Sequence, residues 1–257
     1  MTEAHRQLPF RVRMDWGLDG ARAIGEDAAT TVVVDVLSFT TAVTVAVDDG
    51  IVVLPYRWSD DGAAAHAARH AAVLAVRRSA AGPGDLTLSP ASIRAAAGVD
   101  RLVLPSPNGS TIAAHLLDHG AEVLAGALRN ASAVADWVTT RHGVDGGTVA
   151  VVAAGERWPG DTLRPAVEDL WGAGAVVAAL LRAGWTSASP EARAAAAAFT
   201  EARADLPARL RTCAGGAELA ATGHGADVDI AAELDHSPSV PVLDAGGFRD
   251  ARATAGT

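Results

Sequence analysis

Runs of valine and leucine alternate with alanine-rich segments of helical period along most of this 257-residue chain. Continuous apolar strands between helices are typical of a parallel sheet that is buried on both faces. Right-handed βαβ crossovers then place helices on both sides of that sheet. The alternation predicts an α/β fold, a three-layer α/β/α domain with a mostly parallel sheet. Its predicted strands lie within 30–39, ending near Asp35, and at 51–56, 101–106, 121–128 and 147–156.

The pattern changes after Gly184, where helical segments predominate. Ser189-Pro190-Glu191 combines a capping hydroxyl, a proline at the first helical position and an acid facing the helix dipole, so a helix is expected from there to about Arg211. Shorter elements are expected later: helices near 215–222 and 226–234, a strand at 241–243 and a loose tail after Phe248. Because no linker or internal repeat interrupts the chain, we expect residues 1–257 to form one domain with a helical C-terminal part.

Composition excludes several classes of protein. All 21 basic residues are arginine, so a Walker A lysine, a Schiff-base lysine and phosphatase mechanisms that need a lysine are excluded. The net charge is −9 and the arginines are scattered, which argues against nucleic acid as a partner. No apolar run approaches the ~20 residues of a membrane span, and no signal-peptide pattern is present. A single cysteine, Cys213, cannot form an internal disulfide. These features predict a cytoplasmic protein.

Ligand sites in open α/β sheets lie at the carboxyl ends of strands, and the first predicted strand ends at Asp35. Ser38, Thr40 and Thr41 follow at the start of a helix. A carboxylate in this position can bind Mg²⁺, an ion that prefers oxygen ligands. The alternative interpretation is that Asp35 and the threonines only cap the helix.

Two further strand ends carry polar residues of the same kind. One is the turn formed by Ser106, Pro107, Asn108, Gly109, Ser110 and Thr111. It opens a helix whose free N–H groups attract an anion, or it is only a structural turn with a cap. The other is Glu156-Arg157, where the guanidinium has the forked geometry that binds phosphate or sulfonate. The alternative for this pair is a solvated ion pair.

Adjacent acids and spaced histidines complete the candidate groups. Glu168-Asp169 stands in an apolar stretch, where the two acids could supply a second metal ligand or a base. The alternative interpretation is that they lie in the first turn of a helix and only interact with its dipole. The histidine pairs His66/His70 and His115/His119 have the i, i+4 spacing of zinc ligands. Neither pair has the glutamate of an HExxH motif, and we interpret both as exposed histidines.

Motifs in a fixed order connect these groups. They are Val-Val-Val-Asp-Val-Leu (32–37), Ser-Pro-Asn-Gly-Ser (106–110), Gly-Glu-Arg (155–157), Glu-Asp-Leu-x-Gly-Ala-Gly (168–174), Cys-Ala-Gly-Gly-Ala-Glu-Leu (213–219), Asp-Val-Asp-Ile-Ala-Ala-Glu-Leu-Asp (227–235) and Val-Pro-Val-Leu (240–243). Together they resemble the 2-phosphosulfolactate phosphatase (ComB-like) family, over about residues 10 to 243. The resemblance implies a three-layer α/β/α fold and a Mg²⁺-dependent phosphatase. It also implies the reaction, release of phosphate and 3-sulfolactate from 2-phosphosulfolactate, a step in coenzyme M biosynthesis.

A site hypothesis follows from the resemblance. Mg²⁺ is expected to be held by Asp35 together with one or more of Glu156, Glu168 and Asp169. The expected substrate is a small phosphorylated acid that also carries a sulfonate, or else a related phosphomonoester. It is expected to contact Ser106, Asn108, Gly109, Ser110, Thr111 and Arg157. Asp35, Glu156 and Asp169 are the expected catalytic residues. Asp169, or Asp235 if the C-terminal part folds back, is the candidate base, and direct attack by Asp35 stays open. Assembly into a homo-oligomer is also left open.

Two positions depart from the family pattern. Ser38 stands where the family commonly has an arginine after Asp-Val-Leu, and Ala217 also stands where an arginine is common. The missing guanidinium groups favour a changed substrate, or a rival hypothesis, a non-catalytic relative that binds an anionic metabolite. Retention of the four carboxylates favours the enzyme, because a simple anion binder gains nothing from clustered negative charge.

Overall fold

A nine-stranded sheet forms the centre of the protein in the computed structural model, which describes residues 2–57, 62–82 and 84–252. The strands are β1 (Val12–Trp16), β2 (Thr30–Val34), β3 (Val52–Arg57), β4 (Val73–Leu74), β5 (Arg101–Ser106), β6 (Val123–Gly126), β7 (Val149–Ala153), β10 (Pro241–Asp244) and β11 (Gly247–Asp250), with β8 (Glu156–Arg157) and β9 (Leu163–Arg164) in a separate hairpin.

Helices connect most of these strands. They are α1 (Gly17–Gly20), α2 (Phe39–Asp48), α3 (Gly62–Arg69), α4 (Pro90–Arg94), α5 (Gly109–Asp118), α6 (Ala131–His142), α7 (Val167–Arg182), α8 (Pro190–Ala202), α9 (Leu206–Thr212), α10 (Ala214–Ala221) and α11 (Gly225–Ala231). A π-helical turn at Ala21–Gly25 continues α1, and short 3₁₀ turns lie at Arg78–Ala80, Leu128–Asn130 and Arg203–Asp205.

The sheet has the order β1-β7-β2-β6-β10-β11-β3-β5-β4. Pairing is parallel within the groups β1-β7-β2-β6 and β3-β5-β4. The C-terminal hairpin β10–β11 lies between the two groups and pairs antiparallel with β6 and with β3. The sheet is therefore mostly parallel, as expected, and the last segment of the chain completes its centre.

Helices cover both faces of the sheet, which explains the continuous apolar runs. Val32 and Val34 of β2 pack into one core cluster with α6, α7 and α8, while Val33 packs into another with α2 and α5. Successive side chains of a strand point to opposite faces, so a strand between two helical layers is apolar at every position. The three-layer α/β/α prediction is confirmed.

The register of the central strands sets the place of the functional residues. Val34, the last residue of β2, lies opposite Gly126 of β6 and Ala153 of β7. The three strands thus end at one edge of the sheet. Asp35 follows β2 directly and Gly155 comes two residues after β7, so both segments emerge together at that edge.

Several elements differ from the sequence predictions. The expected helix 189–211 is divided into α8 and α9, because a 3₁₀ turn and Pro207 at the start of α9 interrupt it. The prediction of a loose tail after Phe248 was wrong for Arg249 and Asp250, since both belong to β11. Edge strand β1, short elements β4 and α4, and the β8–β9 hairpin had not been predicted. The alanine-rich segment 59–72, whose helical period predicts a helix, begins outside the described residues; within them, α3 runs from Gly62 to Arg69.

Within the described part of the chain, every helix is too short or too polar to cross a bilayer.

Glycines in α7 permit unusually close helix packing. A Cβ at Gly172 would lie 2.5 Å from Val36 Cγ2, and one at Gly174 would overlap the carbonyl oxygen of Ala195 in α8. The Gly-Ala-Gly sequence at 172–174 therefore joins α7 to β2 and to α8. Close packing explains these two glycines.

We expect Gly174→Ala to lower the free energy of unfolding by about 1–3 kcal/mol, because the backbone of α8 must move to accept the methyl group. Gly225→Ala is the matched control: no atom lies within 4 Å of a Cβ at Gly225, and its φ is not positive. That control should change stability by less than about 0.5 kcal/mol. Urea unfolding followed by circular dichroism measures both, and equal midpoints would refute the packing role of Gly174.

Candidate active site

Asp35 is held at the end of β2 by two backbone amides. Its Oδ1 accepts a hydrogen bond from Phe39 N (3.1 Å) and its Oδ2 accepts one from Gly109 N (3.0 Å), so one carboxylate joins the starts of α2 and α5. Burial raises the pKa of Asp35 to about 6, with a contribution from the negative charge of Glu168, against the lowering effect of the two amides. Asp35 does cap α2, as the alternative interpretation held, and it also belongs to a carboxylate cluster.

Asp169 makes the matching connection on the other side of β2. Its Oδ1 accepts from Val36 N at 2.7 Å, and its Oδ2 accepts from Gly155 N at 2.8 Å. The side chain is buried, and burial followed by the charges of Asp35 and Glu168 raises its pKa well above the ordinary value. Asp169 thereby joins the start of α7 to the ends of β2 and β7.

Glu156 and Glu168 complete the carboxylate cluster. Glu156 Oε2 accepts a hydrogen bond from Asn108 Nδ2 at 3.2 Å. Burial and the charge of Asp35 raise the pKa of Glu156 to about 7. Glu168 is 2% exposed, which excludes a solvated first-turn acid, and Gly215 of α10 approaches it so closely that a Cβ there would overlap Oε1. The structure thus brings together the four predicted metal ligands, now called the carboxylate cluster.

The predicted phosphate turn uses most of its donors internally. Gly109 N is bonded to Asp35, Ser110 Oγ donates to the carbonyl of Tyr56 at 2.6 Å, and Thr111 Oγ1 donates to the carbonyl of Ser106 at 3.2 Å. A Cβ at Gly109 would lie 2.6 Å from Phe39 Cδ1, so only glycine permits this approach. The turn therefore positions Asp35, and its contact with phosphate stays a prediction.

Arg157 reinforces the same turn. Its Nε donates to Asn108 Oδ1 and its Nη2 to the carbonyl of Pro107, both at 3.0 Å. Asn108 in turn donates to Glu156, and the remaining end of the guanidinium pairs with Asp161. The Glu156–Arg157 pair of the sequence is thus not a simple ion pair, because the two side chains contact the turn separately.

Arg78 is a site residue that the sequence analysis did not identify. Its Nη2 donates to Ser38 Oγ (3.0 Å) and to Asp227 Oδ2 (3.1 Å), while its Nε is buried without a hydrogen-bond partner. Asp227 is itself buried and accepts from the Ser89 hydroxyl and the Ala91 amide. A guanidinium therefore lies next to Ser38, and its positive charge lowers the pKa of Asp35.

A cavity of about 860 Å³ opens beside the carboxylate cluster. Its lining includes Glu156, Gly215 and three arginines, Arg78, Arg157 and Arg164. Arg164 lies on β9 opposite Glu156 of β8, and its charge lowers the pKa of that acid. The β8–β9 hairpin, which the sequence analysis missed, thus brings a cation into the cavity. The arrangement suits a small anion next to carboxylates.

A second cavity of about 840 Å³ near the C-terminal end of α2 is a weaker candidate. Its charged groups already pair with one another: Arg129 with Asp48 and Glu233, and Arg94 with Glu233. These contacts lower the pKa of Glu233 to about 2, as expected of an acid in stable ion pairs. The cavity beside the carboxylate cluster, where the pKa of Glu156 is raised, is the better site for chemistry.

The carboxylate cluster fits Mg²⁺ by its chemistry. Its members offer only hard oxygen atoms, their negative charges help to raise the pKa values of Asp35, Glu156 and Asp169, and the nearby Arg78 and Arg157 pair with Asp227 and Asp161 instead. Within the described residues, no three of the four bring their oxygens within 4.8 Å of one another. Mg²⁺ usually takes one or two carboxylates, with waters and substrate phosphate in its remaining positions, so three are not required.

Asp235 lies elsewhere, at the start of α6. Its two oxygens accept from the amide and the hydroxyl of Ser132, each at 2.8 Å. The C-terminal part does fold back onto the site, but through Asp227 and Gly215. Asp235 is the helix cap of α6, which removes it as a candidate base.

The raised pKa of Asp35 makes stability depend on pH. Between about pH 4 and pH 6 the folded protein retains a proton that the unfolded chain has lost, so the free energy of unfolding should fall as the pH rises. With a chelator present, Asp35→Asn should therefore become more stable relative to the wild type across this window. Thermal melting at successive pH values measures the difference. Asp19→Asn, an exposed acid, is the control, and parallel curves for wild type and Asp35→Asn would contradict the account.

A family match covers the segments that form the site. A sequence model described as 2-phosphosulpholactate phosphatase matches residues 21–246, which include the whole carboxylate cluster. A Deinococcus radiodurans protein named "Probable 2-phosphosulfolactate phosphatase" is 34% identical over 165 residues. That alignment covers 63% of this chain and 64% of the relative, less than two thirds of its length. Because the family match spans most of the chain, this chain belongs to the 2-phosphosulpholactate phosphatase family.

Proposed function

We propose that this chain is a Mg²⁺-dependent phosphatase that hydrolyses 2-phosphosulfolactate to 3-sulfolactate and phosphate. The observation that carries the proposal is the buried carboxylate cluster beside a cavity lined by three arginines. Family membership and the name of the Deinococcus relative support the substrate. The single cysteine, Cys213, is buried and its pKa is raised to about 12 by burial, which suits a cytoplasmic enzyme without disulfides.

The arginines account for binding of a substrate with several negative charges. Guanidinium groups match phosphate and sulfonate oxygens through paired N–H donors. Arg164 and Arg78 line the cavity from different elements, β9 and the 78–80 turn. Arg78 donates to Ser38, so it supplies positive charge next to the position where the family arginine is missing. The substitution at Ser38 is therefore compatible with an anionic substrate.

Asp35 and Glu168 are the residues that would hold the metal ion, with Glu156 beside them. When bound, Mg²⁺ neutralises phosphate oxygens and orients the groups that react on the phosphorus. The amides of Phe39 and Gly109 fix the Asp35 carboxylate in one orientation, so its oxygens need no reorganisation to act. Asn108 orients Glu156 in the same way.

Glu156 is the group best suited to move a proton. In hydrolysis, water adds an oxygen to phosphorus, the ester P–O bond breaks, and the leaving oxygen needs a proton. A carboxyl with a pKa of about 7 carries or accepts that proton near neutral pH. Glu156 also lines the cavity, where substrate can reach it.

Asp169 is assigned a positioning role in this proposal. Both of its oxygens accept short backbone hydrogen bonds, and its side chain is 3% exposed. Through Val36 and Gly155 it sets the places of the residues next to them, Asp35 and Glu156. The base expected at Asp169 from the sequence is thus transferred to Glu156.

Phosphate release from racemic 2-phosphosulfolactate, beside a panel of simple phosphomonoesters, tests the proposal. We expect release with Mg²⁺ that stops with a chelator and favours the sulfonated ester. Asp35→Asn should lower kcat/KM by at least about 10³-fold, and Glu156→Gln by about 10²–10⁴-fold. Asp145→Asn, in an exposed turn between α6 and β7, is the matched carboxylate control and should keep full activity.

Full activity of Asp35→Asn would refute the assigned site. Release from simple esters alone would reassign the substrate and retain the reaction. If no ester is hydrolysed by folded protein, and anions stabilise it equally with and without Mg²⁺, the rival hypothesis of a non-catalytic anion-binding protein is correct.

A further inference from the structure

A second group of metal-binding side chains lies outside the carboxylate cluster. Glu26, His115 and His119 each bring one ligand atom within 4.8 Å of the other two. His115 and His119 are one turn apart on α5, with ring centroids 4.2 Å apart. Glu26 follows the π-helical turn and its Oε1 lies 3.0 Å from His115 Nε2. We propose that these three residues bind a zinc ion.

The backbone around Glu26 places its carboxylate with little freedom. Gly25 packs against α5 so closely that a Cβ there would lie 3.0 Å from Leu116 Cδ2, and its carbonyl accepts from the Thr31 hydroxyl at 3.0 Å. Leu116 is fully buried on the face of α5 opposite solvent. The segment that carries Glu26 is thus fixed both to α5 and to β2, and the acid is held next to the histidine pair.

The hydrogen bonds of His119 prepare it as a ligand. Its Nδ1 lies 2.8 Å from the carbonyl oxygen of His115, and because a carbonyl only accepts, Nδ1 carries the proton. The lone pair of His119 then resides on Nε2. A ligating histidine commonly donates its other ring N–H to a backbone carbonyl in this way, which fixes the tautomer and the ring orientation.

The donor set selects the kind of metal. Two imidazole nitrogens and one carboxylate are typical three-residue zinc ligands, with water in the fourth position. Imidazole disfavours Mg²⁺ and Ca²⁺, which prefer oxygen. Ligands at about 2.0 Å in tetrahedral geometry lie about 3.3 Å apart, close to the 3.0 Å between Glu26 and His115. A zinc ion between Glu26 and His115, in place of the proton of their hydrogen bond, would link the Glu26 segment to α5.

The zinc site and the carboxylate cluster are at different parts of α5. Gly109, the first residue of α5, donates to Asp35, whereas His115 lies six residues later, about 9 Å along the helix axis. Bound zinc would therefore stabilise the helix whose first turn positions Asp35, without contributing a ligand to the cluster.

Titration of the full chain with Co²⁺ and Zn²⁺ in saturating Mg²⁺ tests this site. We expect the strong visible absorption of tetrahedral Co²⁺, displaced by Zn²⁺, and a melting temperature that rises with Zn²⁺ concentration. His119→Ala and Glu26→Gln should weaken Zn²⁺ binding at least tenfold. Both residues are near the surface, so the melting temperature without metal checks that the variants fold.

His70→Ala is the matched control. His66 and His70 have the same i, i+4 spacing and ring centroids 4.5 Å apart, but they do not belong to a three-ligand group among the described residues. Zn²⁺ binding should be unchanged in this variant. Equal Zn²⁺ affinity of wild type and His119→Ala, or equal loss in His70→Ala, would overturn the zinc site. Either result is independent of phosphatase activity.

Discussion

Two buried carboxylates that accept backbone hydrogen bonds hold the functional edge of the sheet together. Asp35 joins the end of β2 to the starts of α2 and α5, and Asp169 joins the start of α7 to the segments after β2 and β7. Each connection is made by a carboxyl group buried away from water, where hydrogen bonds are strong and an unpaired group is costly. Five elements therefore meet with little freedom at one place, and the remaining acids are presented from them.

The same arrangement places several acidic side chains close together in a buried site, with no ion pair to an arginine among the described residues. Burial and mutual repulsion raise the pKa values of Asp35, Glu156 and Asp169, while the nearby Arg78 is paired with Asp227. Backbone amides lower the pKa of a carboxylate but bring no net charge. In the proposed function, a divalent cation would supply the missing positive charge, and a phosphorylated substrate would bring further oxygen ligands for it. The arginines that line the cavity would then bind the anionic substrate, since within the described part of the chain Arg78 and Arg157 form ion pairs only with acids outside the carboxylate cluster.

The fold and the acids of the carboxylate cluster could be predicted from the sequence because both depend on local pattern. Apolar runs predict strands buried on both faces, and Asp35 directly follows one of them, so the edge at which it lies was predictable. The hairpin β10–β11 was only partly predictable, because its place between β6 and β3 depends on pairing between segments more than a hundred residues apart. The internal hydrogen bonds of the 106–111 turn were also hidden, because spacing alone does not tell a donor that faces ligand from one that faces protein.

Arg78 illustrates what a single sequence does not reveal. It stands in a short irregular segment, and its position depends on an ion pair with Asp227. Asp227 lies in α11, almost 150 residues later in the chain, and the C-terminal helices place it next to the site. Glu156 is a similar case: the strand before it, β7, was predicted, but the short β8–β9 hairpin that carries Glu156 and pairs it with Arg164 has too few residues to show a period. Residues placed by long-range contacts require the structure.

The central claim, that the carboxylate cluster is built for a divalent cation, is tested most directly by calorimetric titration of Mg²⁺ at about pH 6.5. Two buffers with different ionisation enthalpies report the protons released. Since the pKa values of Asp35 and Glu156 are about 6 and about 7, Mg²⁺ should bind with net proton release, and Asp35→Asn should bind at least tenfold more weakly. Mg²⁺ affinity that is the same in Asp35→Asn, or binding that releases no protons, would contradict the account.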